Sequence, residues 1–132
     1  MTPQERFAAA RVARLATADG SGRPLLVPVT FALDGEIVYF AVDHKPKTTR
    51  DLRRLRNIAA NPQVSLLVDE YRDDWTQLWW VRADGTASIL RDPATFTEPN
   101  RLLAAKYPQY REFPPQGPVV RIDITHWADW HG

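Results

Sequence analysis

The chain has 132 residues, no cysteine and a net formal charge of only +1, which is the size of one domain covering residues 1–132. The missing cysteines exclude disulfides, thiol nucleophiles and cysteine–metal sites, and together with the lack of a signal-peptide core they predict a cytoplasmic protein. The near-neutral charge argues against a nucleic-acid partner. No apolar run approaches the roughly 20 residues that span a bilayer, which argues against a membrane partner.

The first half of the chain predicts one short helix and three strands. In chain order these are a helix over residues 3–10 capped by Thr2, and strands over residues 12–17, 25–33 and 36–42. The strand LLVPVTFAL at 25–33 is apolar on both faces, which indicates a closed barrel that also packs against a partner chain. The Asp34-Gly35 pair then predicts a tight hairpin turn.

The second half predicts two helices and three strands. They are a helix from Thr48 to the Asn61-Pro62 stop, strands over 64–71 and 78–90, a helix over 98–106 and a strand over 119–127, after a proline-rich loop. The apolar face of the first helix contains Leu52, Leu55 and Ala59, and the Asp84-Gly85 pair predicts a bulge or bend. The whole pattern predicts a mainly β protein with short helices, a small β-barrel of about six strands.

A basic stretch, DHKPKTTRDLRRLR at residues 43–56, contains much of the positive charge. Its Lys45, Lys47, Thr48 and Thr49 lie where a strand ends and a helix begins. Unpaired helix amides beside lysines and hydroxyls are suited to a phosphate or a carboxylate, so we expect an anion site here. The arginines of the stretch lie away from the apolar face, and a solvated helix surface explains about half of them. These arginines are Arg50, Arg53, Arg54 and Arg56.

Tryptophans and one proline are the other unusual residues. Trp79 and Trp80 are adjacent in a strand, so their side chains point to opposite faces, and one of them must meet a ligand, a partner or solvent. The positions of Trp127 and Trp130 favour an interface over packing of the tail. Pro28 inside a predicted strand indicates an edge, a bulge or a backbone opened to hold a flat ring.

Patterns for catalysis and metal binding are weak. The three histidines lack metal-ligand spacing, no serine lies in a nucleophile elbow, and there is no Walker loop or dinucleotide-binding glycine motif. Acid/base pairs at Asp43-His44 and Asp73-Asp74 stay open as alternatives. We predict no metal site, and we assign no catalytic side chain from these patterns.

Two segments follow each other along the chain, GRPLLVPVTFALDGEIVYFAVDHKPKTTRDLRRLRNIAANPQVSLLVDEY and WWVRADGTASIL. In the order of their strands, turn and helix they resemble the pyridoxamine 5'-phosphate oxidase-like split-barrel flavoproteins. In that family a Ser-Arg-Lys-Ala turn commonly grips the flavin phosphate. Here Lys47 matches the lysine and Pro46 replaces the arginine, which disfavours ordinary FMN binding. The segment DITHWADWHG has no counterpart of the residues that hold pyridoxal phosphate in the true oxidases. The KPKT turn and the small size are more similar to the branch that uses the deazaflavin coenzyme F-420, whose phosphate and polyglutamate tail suit a basic cluster.

The resemblance implies a split-barrel homodimer with a cofactor at each interface. It implies an oxidoreductase that moves hydride between coenzyme F-420 and a small organic acceptor, with FMN as the alternative cofactor. The implied cofactor-binding residues are Val27, Pro28, Val29, Ala41, Val42, Lys45, Lys47, Thr48, Thr49, Trp80 and Trp130. A non-catalytic cofactor carrier, or a barrel that holds single-stranded nucleic acid on its basic helix and tryptophans, is the alternative from a different class.

Overall fold

The computed structural model describes residues 1–42 and 52–132, which form seven strands and four α-helices. The strands are β1 (Ala13–Ala18), β2 (Pro24–Val29), β3 (Ala32–Asp34), β4 (Ile37–Ala41), β5 (Gln63–Glu70), β6 (Trp79–Leu90) and β7 (Val119–His131). The helices are α1 (Pro3–Ala9), α2 (Arg53–Ala60), α3 (Thr97–Lys106) and α4 (Pro108–Glu112). The prediction of a mainly β protein with short helices is confirmed.

The strands of these ranges form one antiparallel sheet in the order β2-β1-β5-β6-β7-β4-β3. The consecutive strands β5, β6 and β7 form a meander at its centre. The hairpin β1-β2 pairs with one side of this meander, and the hairpin β3-β4 pairs with the other. The edges are therefore β2 and β3, and among the described residues the sheet is open between them, whereas the apolar pattern of residues 25–33 predicts a closed barrel.

The structure has one strand more than the predicted six, because the predicted strand over residues 25–33 is divided. The hydroxyl of Tyr107, just after α3, accepts a 3.1 Å hydrogen bond from the backbone N–H of Phe31. The same hydroxyl lies 3.1 Å from the carbonyl oxygen of Phe31 and 2.9 Å from that of Arg11. The Tyr107 side chain thus takes the place of a neighbouring strand for Phe31, so β2 ends at Val29 and β3 begins at Ala32.

The main core lies on the inner face of the sheet. Val29 of the edge strand β2 and Val38 of β4, at the opposite side of the sheet, belong to the same buried cluster. Side chains from both ends can share one cluster because the sheet curls around it. The helix α1 closes this cluster through Phe7, which is fully buried.

The strand β4 is buried on both faces. Its Val38 and Phe40 face the main core. Its Tyr39 and Ala41 face a second cluster, where α3 contributes Leu103. The two-sided burial predicted for residues 25–33 is therefore found in the next strand along the chain.

The helices agree with the predictions at most of their ends. Thr2 caps α1, and Glu5 completes a capping box with it. The helix α2 ends at Asn61 as predicted, but the predicted Thr48 cap lies outside the described residues, and Ala59 is exposed while Ile58 is buried. The helix α4 occupies part of the predicted proline-rich loop. In the ranges that the structure describes, the helices are too short or too polar to cross a membrane.

A bulge between β6 and β7 changes which side chains face the core. The register of the two strands shifts between Asp84 and Gly85, and Thr125 has no partner across β6. One extra residue reverses the alternation of a strand. Ile124 packs in the core before the bulge, and Trp127 packs against the same core after it. The irregularity predicted at Asp84-Gly85 is confirmed.

Candidate functional site

Four of the predicted cofactor-binding residues line one depression in the surface. Its volume is about 400 Å³. Val27, Pro28 and Val29 of β2 form one wall, and Ala41 at the end of β4 lies on the same depression. Residues from two hairpins on opposite sides of the sheet are thus brought together by its curvature. We call this concavity the β2 depression.

The proline in this wall is explained by the position of its strand. Among the residues that the structure describes, β2 pairs with β1 alone and is an edge of the sheet. A proline lacks the N–H that a central strand needs, but at an edge no hydrogen bond is lost. The edge-strand interpretation of Pro28 is confirmed, and its exposed ring forms a flat apolar surface.

The helix α2 adds a residue that the sequence places on a solvated face. Leu55 and Ile58 bury one side of α2, and the Asn57 side chain donates a 3.1 Å hydrogen bond to the Thr17 hydroxyl of β1. These contacts turn Arg54 toward the β2 depression, where it is the one charged group among the described lining residues. No periodicity in the sequence could reveal this contact, because it depends on how α2 sits on the sheet.

Other predicted residues lie elsewhere. Val42 packs in the main core, and its N–H donates a 3.1 Å hydrogen bond to the carbonyl of Pro118. Residues 43–51 are outside the described residues, and they include Lys45, Lys47, Thr48 and Thr49. Ala41 and Arg54 flank that segment in the sequence, so residues from both of its sides line the β2 depression.

A second concavity of about 430 Å³ lies where the chain leaves β5 and enters β6. Its apolar lining consists of Leu67, Tyr71, Leu78, Trp79, Trp80 and Trp130. We call it the aromatic hollow. Trp80 of β6 and Trp130 of β7 are directly opposite each other across the two strands. Within one chain these two predicted residues are therefore in a different concavity from Val27, Pro28 and Val29.

The two adjacent tryptophans of β6 point to opposite sides of the sheet. Trp79 packs against the main core, and the guanidinium carbon of Arg6 lies 5.3 Å from its ring centre. Trp80 lies on the outer face with Trp130, which is 47% exposed. The opposite orientations predicted for this pair are confirmed.

Trp127 is packed within its own chain and does not form the free interface surface that the sequence favours. Its ring meets that of Phe7 edge to face, with ring centres 5.2 Å apart. Its indole N–H donates a 2.8 Å hydrogen bond to the carboxylate of Glu36. The bulge at Thr125 turns Trp127 toward the core, and the sequence alone did not give the position of the unpaired residue.

The charged groups that the structure describes at the rim of the aromatic hollow are paired. The pairs are Arg14–Asp69 at 3.1 Å, Arg72–Glu70 at 3.3 Å and Arg82–Asp84 at 2.9 Å. Burial opposes ionisation of Asp84, but hydrogen bonds from the Ser65 hydroxyl and from Arg82 outweigh it and hold the pKa of this carboxyl below its usual range. The rim therefore consists of matched charges.

Metal ligands are not clustered in the part of the chain that the structure describes. No group of three or more histidine, aspartate or glutamate side chains there could hold a metal ion. What the described residues offer is an apolar wall with an arginine, and a separate aromatic surface.

Comparison with known proteins identifies the fold as that of one family. The model of the pyridoxamine 5'-phosphate oxidase family matches residues 3–131 of the chain. The chain belongs to this family. No curated protein sequence matches it.

Solved structures share the fold of this family member at low sequence identity. An FAD-binding protein from Mesorhizobium loti has a TM-score of 0.72 and 23% identity, with 96% of this chain and 89% of that chain covered. A conserved hypothetical protein from Mycobacterium tuberculosis has a TM-score of 0.77 and 20% identity, with 99% and 85% covered. HutZ, the heme storage protein from Vibrio cholerae, has a TM-score of 0.73 and 20% identity, with 98% and 92% covered. These likenesses show the fold alone.

Proposed function

We propose that this protein is an oxidoreductase that uses coenzyme F-420 to reduce a small organic acceptor. The observation that supports this function is the β2 depression, where an apolar wall and Arg54 line one concavity. Its residues Ala41 and Arg54 flank the lysine-bearing segment 43–51 in the sequence. A flat ring with a phosphate needs both kinds of surface, one to stack on and one to neutralise charge.

The residues of the β2 depression have two roles in this proposal. Val27, Pro28, Val29 and Ala41 contact the ring and exclude water from it. Arg54 acts with Lys45, Lys47, Thr48 and Thr49 on the phosphate and the acidic tail. When bound, a deazaflavin supplies hydride transfer, and the protein has to hold the acceptor beside the ring. This division of work needs no acid or base from the chain.

FMN is the second candidate cofactor, because the chain belongs to the pyridoxamine 5'-phosphate oxidase family and a relative of the same fold binds FAD. Equilibrium titration of the protein with F-420 and with FMN distinguishes the two. We expect F-420 to bind at least about tenfold more tightly, since its acidic tail adds charge contacts. Tighter binding of FMN would overturn the choice of cofactor, and binding of neither would overturn the proposed function.

Arg54→Gln is expected to weaken F-420 binding about tenfold, because a charge-assisted hydrogen bond to the cofactor is lost. Arg53→Gln is the matched control: it removes the same charge from the same helix, but Arg53 is exposed and does not line the β2 depression. Titration by calorimetry measures both variants. Equal losses in the two variants would show that Arg54 acts only through the general charge of α2.

We also propose that the cofactor is held between two copies of the chain. Apolar side chains are exposed on the outer face of the sheet around β1, β2 and β5, with Leu26 67% and Leu67 36% exposed. Pro28, Arg14 and Leu67 are neighbours across these strands. A second copy on this face would bring its aromatic hollow toward the β2 depression, which unites the predicted residues that a single chain keeps apart.

The dimer is tested by mass and by one surface substitution. We expect light scattering at micromolar concentration to give twice the 15.1 kDa of one chain. Leu26→Asp should give the mass of a single chain, because a buried unpaired carboxylate opposes association. Phe113→Asp, which changes an exposed apolar residue after α4, is the control and should leave the mass unchanged. A single-chain mass for the unaltered protein would refute the dimer.

A further inference from the structure

We propose that the aromatic hollow is the site of the acceptor, and that the acceptor is a flat, uncharged aromatic molecule. The role of the ligand as the acceptor rests on the proposed function. The preference for a flat, uncharged aromatic ligand rests on the residues that line the hollow. Its volume of about 430 Å³ lies within the usual range of small-molecule sites, roughly 300–1,000 Å³.

The shape of the ligand follows from the rings in the lining. Trp80 and Trp130 face each other from adjacent strands, and Tyr71 adds a further aromatic residue to the lining. Aromatic rings bind other rings by offset stacking or edge contacts and give large apolar contact with little loss of side-chain freedom. A planar aromatic ligand uses these surfaces better than a branched aliphatic one.

The charge of the ligand follows from the rim. Asp69 and Glu70 would attract a cation if they were free, and an aromatic cage beside free carboxylates is suited to an ammonium group. Both are already paired, with Arg14 and Arg72 respectively. The third charged lining residue, Arg82, is held by Asp84 through two hydrogen bonds of 2.9 and 3.1 Å. The rim thus has no surplus of either sign, which favours an uncharged ligand.

The position of the hollow is consistent with an acceptor. Pro28, Arg14, Leu67 and Arg82 form a continuous row of cross-strand neighbours from β2 to β6. Pro28 belongs to the β2 depression, and Leu67 and Arg82 belong to the hollow. This row on the outer face of the sheet therefore connects the two concavities, and it is the face that the second copy covers in the proposed dimer.

Three probes with one ring system and different charges test the inference in the absence of cofactor. They are 2-naphthalenemethanol, 2-naphthoate and 2-naphthylmethylammonium, each titrated into the full chain by calorimetry. We expect the neutral alcohol to bind at least about tenfold more tightly than either ion, because the ions must leave water without gaining a free partner. A tighter cation would overturn the inference in favour of an ammonium site, and a lack of binding by all three would overturn it altogether.

Variants locate the binding. Trp130→Ala removes a half-exposed ring from the hollow and should weaken binding of the alcohol about tenfold. Trp75→Ala is the control, since Trp75 is 68% exposed and does not line the hollow. An equal effect of the two substitutions would overturn the site.

The result is separable from the cofactor titrations. F-420 binding without probe binding overturns only the acceptor site. Probe binding without cofactor binding supports the ligand chemistry of the hollow and overturns the proposed reductase.

Discussion

Gly85→Ala is expected to lower the free energy of unfolding by about 1–3 kcal/mol, as overpacking in a closed interior does. Gly85 lies in β6 beside the bulge. A Cβ at this position would overlap the backbone carbonyl oxygen of Asp123 and come within 3.0 Å of a methyl group of Ile122. A flexible side chain could move away, but Asp123 is held in β7 by its strand pairing. The added methyl must therefore push β6 away from β7.

Urea unfolding followed by circular dichroism measures this loss. The control is Gly20→Ala, because the nearest atom to a Cβ there is the Ala60 Cβ at 4.0 Å, an ordinary contact. We expect the control to stay within about 0.5 kcal/mol of the unaltered protein. A Gly85→Ala protein as stable as the control would show that the two strands separate there at little cost.

Lys106→Met is expected to raise the free energy of unfolding at pH 7 by roughly 1 kcal/mol. The Lys106 Nζ is buried, and within the described part of the chain it has no hydrogen-bond partner. Burial, with a smaller contribution from the Arg11 guanidinium, lowers the pKa of Lys106 to about 8. The ammonium lies 3.8 Å from the ring centre of Phe31, and this favourable contact offsets part of the cost of burial. Methionine fills the same space without a charge.

The pH dependence gives the stronger signature. In the unfolded chain a lysine has a pKa of about 10.4, so between pH 8 and that value the unfolded state binds more protons than the folded state. Stability contributed by this group therefore rises with pH across that window. The destabilisation caused by burying the Lys106 ammonium is fully present below pH 8. Above about pH 10 the Tyr107 hydroxyl, whose pKa is raised by burial, begins to oppose the trend.

Unfolding in urea at pH 7, 8, 9 and 9.5 tests both parts of this prediction. The increase in the free energy of unfolding that Lys106→Met produces should become steadily smaller as the pH rises. Arg111→Met, which removes an exposed charge from the neighbouring helix α4, should show no such trend. A methionine variant that is less stable at every pH would mean that the contact with Phe31 outweighs the burial of the charge.

The fold could be predicted where local chemistry decides the structure. The Thr2 cap, the hairpin turn at Asp34-Gly35 and the Asn61 stop are local signals, and each is found where it was predicted. The division of residues 25–33 could not be predicted, because it depends on a hydroxyl from Tyr107, 76 positions away from Phe31. Propensity along a strand carries no information about such a distant partner.

The candidate site was predicted less completely than the fold. Val27, Pro28, Val29 and Ala41 were grouped by the family resemblance, and the structure brings them together. Arg54 was missed because its contact depends on how α2 packs. Apart from the apolar character of Leu67 and Tyr71, no sequence feature indicates that they line the aromatic hollow. Only the register of β5 against β6 places them beside Trp80.

The order of the strands has a consequence for folding during synthesis. The hairpins β1-β2 and β3-β4 lie within the first 41 residues, yet they pair with β5 and β7, on opposite sides of the central meander. An isolated hairpin is marginally stable at best. As the chain leaves the ribosome, β3-β4 therefore lacks its neighbour until residues 119–131 have been made. Over that interval the nascent chain carries uncovered strand edges, the kind of surface that chaperones shield.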